Sequence, residues 1–176
     1  MITTAELHKI MPHAGARVEL FIEPLNAAMV EFEIDNPLRE AAFIVQAAHE
    51  SGELRYMREL ASGEAYEGRK DLGNDQPGEG VTYKGRGIFQ LTGDTNYRRA
   101  GRELFLDEDW FKANPALVEE PVNACRTAAW FWRVNGLNEL ADRGDMLLIT
   151  KRINGGYTHF KERLAYYHRA LEVFSK

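Results

Sequence analysis

Residues 36–52 read Asn36-Pro37-Leu38-Arg39-Glu40-Ala41-Ala42-Phe43-Ile44-Val45-Gln46-Ala47-Ala48-His49-Glu50-Ser51-Gly52. Asn36 is a helix-capping residue. Pro37 stands at the first helical position, where its missing N–H would be unpaired anyway and its fixed φ suits the helix. From Leu38 to His49 the apolar residues lie nearly all round the helical projection, which predicts a helix buried on most sides. Gly52 is a natural left-handed stop. A helix of this kind has to be wrapped by other helices, so the stretch sets a mainly α fold class. It also leaves Glu50 at the end of an apolar helix, partly desolvated. Desolvation penalises the charged form of a carboxyl group and keeps its proton on, as a general acid requires. The alternative is a Glu50 turned to solvent, at a small cost against the helix dipole.

The surrounding sequence is also helical. Thr3 and Glu6 form a capping box, with Leu7, Ile10 and Met11 along one face until Pro12. A helix is expected over 16–22, and Pro24 is expected to open another, with Leu25, Ala28, Met29 and Phe32 on one side. Between Ser62 and Gly87 the texture changes to seven glycines, Pro77 and many charges. This predicts a long loop or small hairpin lobe, and a long ordered loop in a compact domain is usually functional. Asp94 or Thr95 is expected to cap a helix carrying Tyr97, Ala100 and Leu104. Glu120-Pro121 starts another helix, ending at Asn135-Gly136. Asp145 caps a segment that Asn154-Gly155-Gly156 closes, and Thr158 opens a last amphipathic helix with Phe160, Leu164, Tyr167, Leu171 and Phe174. Trp130 and Phe131 read as core.

The length of 176 residues fits one domain, 1–176, with the glycine-rich lobe at 62–88 inside it. A net charge of -5 argues against nucleic acid as the main partner. No run of about 18 apolar residues predicts a membrane span. The single cysteine, Cys125, lies among alanines and reads as a small core residue. The first six residues lack the basic and apolar regions of a signal peptide, so the expectation is a protein that accumulates in the cytoplasm.

Several kinds of site are excluded by pattern. His49-Glu50 is followed by Glu53 where a zinc-binding H-E-x-x-H would have histidine, and the five histidines are scattered, so no metal is expected. Gly85-Arg86-Gly87 lacks the rest of a dinucleotide fingerprint, and there is no phosphate-loop lysine motif and no G-x-S-x-G elbow. A pair of carboxyl groups remains. Glu53, Glu59, Glu64, Glu67 and Asp71 are the candidate partners of Glu50. Nine residues separate Glu50 from Glu59, about 900° of rotation in one helix, so the two share a cleft only if the chain turns after Ser51-Gly52. Spacing alone does not choose between Glu59 and Glu67. If 90–92 is extended, Gln90 and Thr92 share a face and offer an amide and a hydroxyl to water or sugar. The bland reading of these residues is a polar strand face and, at Asn154, a simple helix stop.

The ordered motifs resemble glycoside hydrolase family 19, the chitinase-like lysozymes, and most closely the phage endolysins of that group. They are Pro24-Leu25-Asn26-Ala27-Ala28-Met29, Ala47-Ala48-His49-Glu50-Ser51-Gly52, Ala65-Tyr66-Glu67-Gly68-Arg69, Asp71-Leu72-Gly73-Asn74, Gln76-Pro77-Gly78, the run from Tyr83-Lys84-Gly85-Arg86-Gly87 to Asn96-Tyr97, Ala129-Trp130-Phe131-Trp132 and Ile153-Asn154-Gly155-Gly156. The resemblance implies a lysozyme-like helical domain with the glycine-rich lobe forming a cleft. It implies Glu50 as general acid and Glu59 as the base that activates water with inversion, Glu67 being the rival. It implies that Thr92 helps hold that water, and that Gln90, Asn96, Asn154, Arg163, Glu67 and Tyr66 bind substrate. No cofactor is implied.

The chain departs from plant chitinases in lacking their disulfides and in its loop from Gly63 to Gly80. The resemblance therefore favours an endolysin cutting the β-1,4 bonds of bacterial peptidoglycan glycan strands. Such a protein would act as a monomer without stable membrane insertion and without a separate wall-binding domain. It would be released from the host cytoplasm to the periplasmic wall by a separate holin-type protein. Chitin as substrate, or a non-catalytic wall-binding protein on the same scaffold, are the alternatives.

Overall fold

A computed structural model describes residues 1–174. The chain is mostly helical: α1 (Thr4–Ile10), α2 (Arg17–Glu31), α3 (Pro37–Ser51), α4 (Glu79–Thr82), α5 (Asp94–Phe105), α6 (Trp110–Ala113), α7 (Pro121–Val134), α8 (Leu137–Asp142), α9 (Met146–Asn154) and α10 (Phe160–Phe174). Extended pairing among the described residues is limited to two isolated bridges, Arg58 with Arg86 and Arg86 with Leu91. No helix among these residues is long and apolar enough to cross a membrane.

Helix α3 is the axis of the fold. Asn36 Oδ1 accepts from the Leu38 and Arg39 N–H groups, Pro37 occupies the first turn, and Gly52 closes the helix at φ 57°. Residues 41–48 are buried without exception, as the all-round apolar pattern requires. Helices α7, α8 and α10 pack around α3, and α2 lies against α7. Phe43 is fully buried and meets Trp132 edge-on at 5.4 Å and Phe89 at 5.9 Å. Phe89 in turn meets Phe131 at 5.8 Å. This aromatic ladder ties α3 and α7 to the glycine-rich segment, each contact adding to burial worth about 1.5–3 kcal/mol per large side chain. A second, smaller core holds Tyr83, Tyr97, Phe111, Val118 and Trp130. Cys125 is fully buried, and burial pushes its thiol far up.

The structure corrects three expectations and, at the glycine-rich lobe, chooses the loop over the hairpin. The helices expected on either side of Pro24 are one helix, α2, with proline inside it. The carbonyl that Pro24 leaves without its usual partner belongs to Leu20, a residue 62% exposed, while Phe21, Leu25, Ala28 and Met29 bury one continuous stripe. The glycine-rich lobe is a series of turns, Glu64–Tyr66, Lys70–Leu72 and α4, and carries no ladder. Helix α5 has no side-chain cap of its own, because Gly93 occupies the cap position. Asn74 does that work from 20 residues earlier: its Oδ1 accepts the Asp94 N–H at 3.0 Å and its Nδ2 donates to the Tyr66 carbonyl at 2.9 Å. Finally, α10 begins at Phe160, two residues after Thr158, whose carbonyl instead accepts from Arg163 Nε.

Asn74 is fully buried and joins the lobe to α5. Asn74→Ala leaves a buried N–H and a carbonyl unpaired and is expected to destabilise the protein by about 2–3 kcal/mol, read as a lower urea midpoint at unchanged m-value.

Candidate active site

The chain turns after Ser51-Gly52, as Glu50 and Glu59 would need in order to share a cleft. Gly52, Glu53 and Leu54 adopt left-handed φ values of 57°, 55° and 64° in succession. For the two non-glycine residues this costs roughly 1–2 kcal/mol each. Local bonds offset it. Ser51 Oγ donates to the Ala47 carbonyl at 2.6 Å and accepts the Leu54 N–H at 2.8 Å. Glu53 is buried, its carboxylate accepting from the His13 N–H at 2.5 Å and the Tyr166 hydroxyl at 3.3 Å. Arg17 Nε donates to the Glu53 carbonyl. Glu53 thus braces the reversal of the chain, and the concavity it lines, with His13, His49, Glu162 and Tyr166, is not the groove of Gln90, Thr92 and Asn96.

Glu50 is 21% exposed, and its Oε1 lies 2.6 Å from Nη2 of Arg163, a fully buried arginine on α10. The contact is ionic, without the alignment of a hydrogen bond. Arg163 Nη1 also donates to Gln46 Oε1, and Gln46 Nε2 donates to Thr150 Oγ1 at 3.2 Å. Gln46 and Thr150 are fully buried. The wall beside Glu50 is therefore not apolar, as the sequence suggested: a buried guanidinium stands there. Gln46 precedes Glu50 by one helical turn, so α3 presents an amide and a carboxyl to the same arginine. Beside them the His49 imidazole is held below its usual range, first by burial and then by the Arg163 charge.

Glu59 is half-buried at the lobe. Its Oε1 accepts from the Tyr66 hydroxyl at 3.1 Å and its Oε2 from the Gly85 N–H at 3.2 Å, while its own N–H donates to the Gly85 carbonyl at 2.9 Å. Burial and this bond raise the Tyr66 phenol, so it remains a donor at neutral pH. Gly85 is needed for space: a Cβ there would stand 2.6 Å from Gln90 Oε1 and 3.2 Å from Glu59 Oε2. Gln90 and Glu59 are neighbours across that glycine. Glu67 is placed differently, since its two oxygens accept from the N–H groups of Gly78 and Val81 and organise the lobe around α4. Asp71 pairs with Arg69 on the exposed side.

The segment 90–92 is not extended. Gln90 has φ 52°, and the polar groups are brought together by a turn instead of by alternation. Thr92 Oγ1 donates to the Gln90 carbonyl at 2.8 Å and Asn96 Nδ2 to the Thr92 carbonyl at 2.8 Å. Gln90, Thr92 and Asn96 line a groove of about 250 Å³ whose walls include Phe131, Trp130 and Arg99. Seven residues separate Phe43 from Glu50, two turns to within about 20°, so Glu50 shares the face of α3 that carries Phe43, against which Phe89 packs. Asn154 is exposed at the end of α9, before Gly155 at φ 75°. A concavity of about 430 Å³ between α2 and α7 contains none of these residues. Among the described residues no group of three or more His, Cys, Asp or Glu side chains stands where it could hold a metal ion.

A sequence profile described as Chitinase class I, of glycoside hydrolase family 19, matches residues 39–141, which include Glu50, Glu59, Gln90, Thr92 and Asn96. The chain belongs to glycoside hydrolase family 19. A family 19 domain-containing protein of Haemophilus influenzae is 29% identical over 205 residues, covering 98% of this chain and 96% of that protein. Endochitinase A of Zea mays is 32% identical over 170 residues, covering 88% of this chain and 58% of its own length. An endochitinase of Arabidopsis thaliana is 36% identical over 116 residues, of which the match spans 39% of its length. The chain thus spans nearly all of the bacterial relative and about two-fifths to three-fifths of these plant proteins. Among solved structures, chitinase C from Streptomyces griseus superposes with a TM-score of 0.78 at 21% identity over 99% of this chain and 77% of that one. A class IV chitinase from Zea mays does so at 0.72 and 25% identity, covering 99% and 92%. The protein is a chitinase-like glycoside hydrolase on a lysozyme-like helical fold.

Sequence reasoning missed Gln46, Thr150 and Arg99. Gln46 was legible as the one amide within an apolar run; nothing in the sequence marked the other two.

Two outcomes are expected. Gly85→Ala should cut kcat at least tenfold with little loss of thermal stability, because its Cβ displaces Gln90 and Glu59, compared by initial rates and melting curves. The second concerns His49. Its folded imidazole binds a proton less readily than the unfolded one, so below about pH 6.5 the unfolded state is protonated first and stability falls with pH. His49→Asn should remove that component, seen as a shallower fall of the urea midpoint between pH 7 and 5.

Proposed function

We propose that this family 19 enzyme is an endolysin that hydrolyses the β-1,4 bonds of bacterial peptidoglycan with inversion. The observation that carries the chemistry is the pair Glu50 and Glu59, joined by the left-handed turn and each held by its own polar partner. Glu50 gives its proton to the leaving glycosidic oxygen as the C1–O bond breaks. Arg163 orients the carboxyl group and stabilises the carboxylate left behind. On the opposite face of the sugar, a water held by Thr92 forms the new C1–O bond and loses its proton to Glu59. Tyr66 and the Gly85 N–H orient Glu59 for this, and Gln90, Asn96 and Asn154 hold sugar hydroxyl and amide groups.

Peptidoglycan as substrate is supported by the likeness of the motifs to phage endolysins and by the near full-length match to a bacterial relative. On this reading the protein is a monomer. It collects in the host cytoplasm, reaches the wall through a hole made by another protein, and lyses the cell. Chitin is the second reading, favoured by the plant relatives named as endochitinases.

Mass spectrometry of products from purified peptidoglycan and chitin separates the two. Wild type is expected to release reducing-end fragments from peptidoglycan, with inverted anomers by NMR. Glu50→Gln should release none, yet remain folded at a stability cost of about 3 kcal/mol, since Arg163 loses its carboxyl partner. Cleavage of chitin alone establishes the chitinase. Anhydro-muramic ends replace hydrolysis with a transglycosylase, and no cleavage by wild type replaces the enzyme with a wall-binding protein.

A further inference from the structure

The groove beside Gln90, Thr92 and Asn96 has one ionised residue among those lining it, Arg99. A neutral glycan can take hydrogen bonds from such a residue but has no anion to match its charge. Arg99 is nonetheless held in place. Its Nε donates to Glu103 Oε1 at 2.8 Å, and Glu103 Oε2 accepts from Trp130 Nε1 at 2.7 Å. The guanidinium carbon sits 5.4 Å from the centre of the Trp130 ring, which also lines the groove. Both oxygens of Glu103 are thereby used, and Arg99 and Trp130 together hold its carboxyl below the usual range. Among the described residues the two Nη groups of Arg99 meet no acceptor, and the side chain is 46% exposed. A guanidinium anchored through Nε against an indole face, with a free planar fork, is built to accept a carboxylate in two parallel bonds.

We propose that Arg99 recognises a carboxylate branched from the glycan and is the residue by which this groove prefers peptidoglycan to chitin. The inference rests on the peptidoglycan reading above. Chitin carries no such group. In peptidoglycan it has two sources: the carboxylates of the stem peptide, or the lactyl carboxylate of muramic acid where the peptide has been removed.

The test is calorimetric binding to the inactive Glu50→Gln protein, with and without Arg99→Gln. The ligands are a peptidoglycan tetrasaccharide bearing its stem peptides, the same tetrasaccharide stripped by an amidase, and chitotetraose. Loss of one charge-assisted pair at a half-exposed site weakens binding about tenfold. The expected result is that loss on at least one muramic ligand and less than twofold on chitotetraose. A loss confined to the peptide-bearing ligand assigns the stem carboxylates, and one confined to the stripped ligand assigns the lactyl group. Glu103→Gln, which disturbs the Trp130 platform but keeps the guanidinium, should retain the preference. Equal weakening of all three ligands by Arg99→Gln, or none, overturns the proposal while leaving the peptidoglycan reading intact. Chitotetraose bound more tightly than either muramic ligand by the Glu50→Gln protein overturns both.

Discussion

A fully buried guanidinium organises this molecule. Arg163 has no solvent to hydrate it, and taking an unpaired charge out of water costs several kcal/mol. Its partners must therefore come from the protein, and they come from different directions: Glu50 and Gln46 from α3 and the Thr158 carbonyl from the turn before α10. Gln46 in turn reaches Thr150 on α9. Three helices are locked in register by the demand of one charge. The same demand fixes the orientation of the Glu50 carboxyl group, so on the proposed mechanism the structural constraint and the catalytic one are a single arrangement.

The second half of the site is held by backbone geometry. Three left-handed residues reverse the chain after α3, and Glu53 spends its buried carboxylate on stabilising that reversal. Beyond it, Glu59 is gripped by Tyr66 and by the backbone of Gly85, and Asn74 ties the Tyr66 carbonyl to the start of α5. The polar row Gln90, Thr92 and Asn96 follows from the same segment. The lobe has almost no extended pairing, so its shape rests on side-chain bonds to backbone and on close approaches at glycine. Those features suit a wall that must hold one carboxylate in place beside an open groove.

Much of the fold was legible in advance because its signals are local. Asn36-Pro37 and Gly52 marked the ends of α3, Asp145 marked the start of α9, and the apolar run 41–48 marked the central helix, since capping and periodicity act within a few residues. The signals misread were those where tertiary packing overrides local preference. Pro24 stays inside a helix because the orphan carbonyl belongs to an exposed residue, Leu20, and its neighbours share one buried stripe. Asp94 and Thr95 have the chemistry of caps, but Asn74, far away in the chain, supplies that bond.

The sequence by itself determined that a carboxyl group ends a buried helix, that a glycine-rich segment follows, and that the ordered motifs are those of family 19. These are properties of residue type and spacing, and they survive without coordinates. Only the tertiary structure set Glu59, held by the Tyr66 hydroxyl and the Gly85 N–H, apart from Glu67, whose oxygens are consumed by the backbone of its own lobe. Only it placed a guanidinium against Glu50 and an anchored one, Arg99, in the groove. The reason is physical: a charge's function depends on which partners lie within a few ångströms and how much water is excluded there, and residues brought together by folding leave no periodicity in the chain.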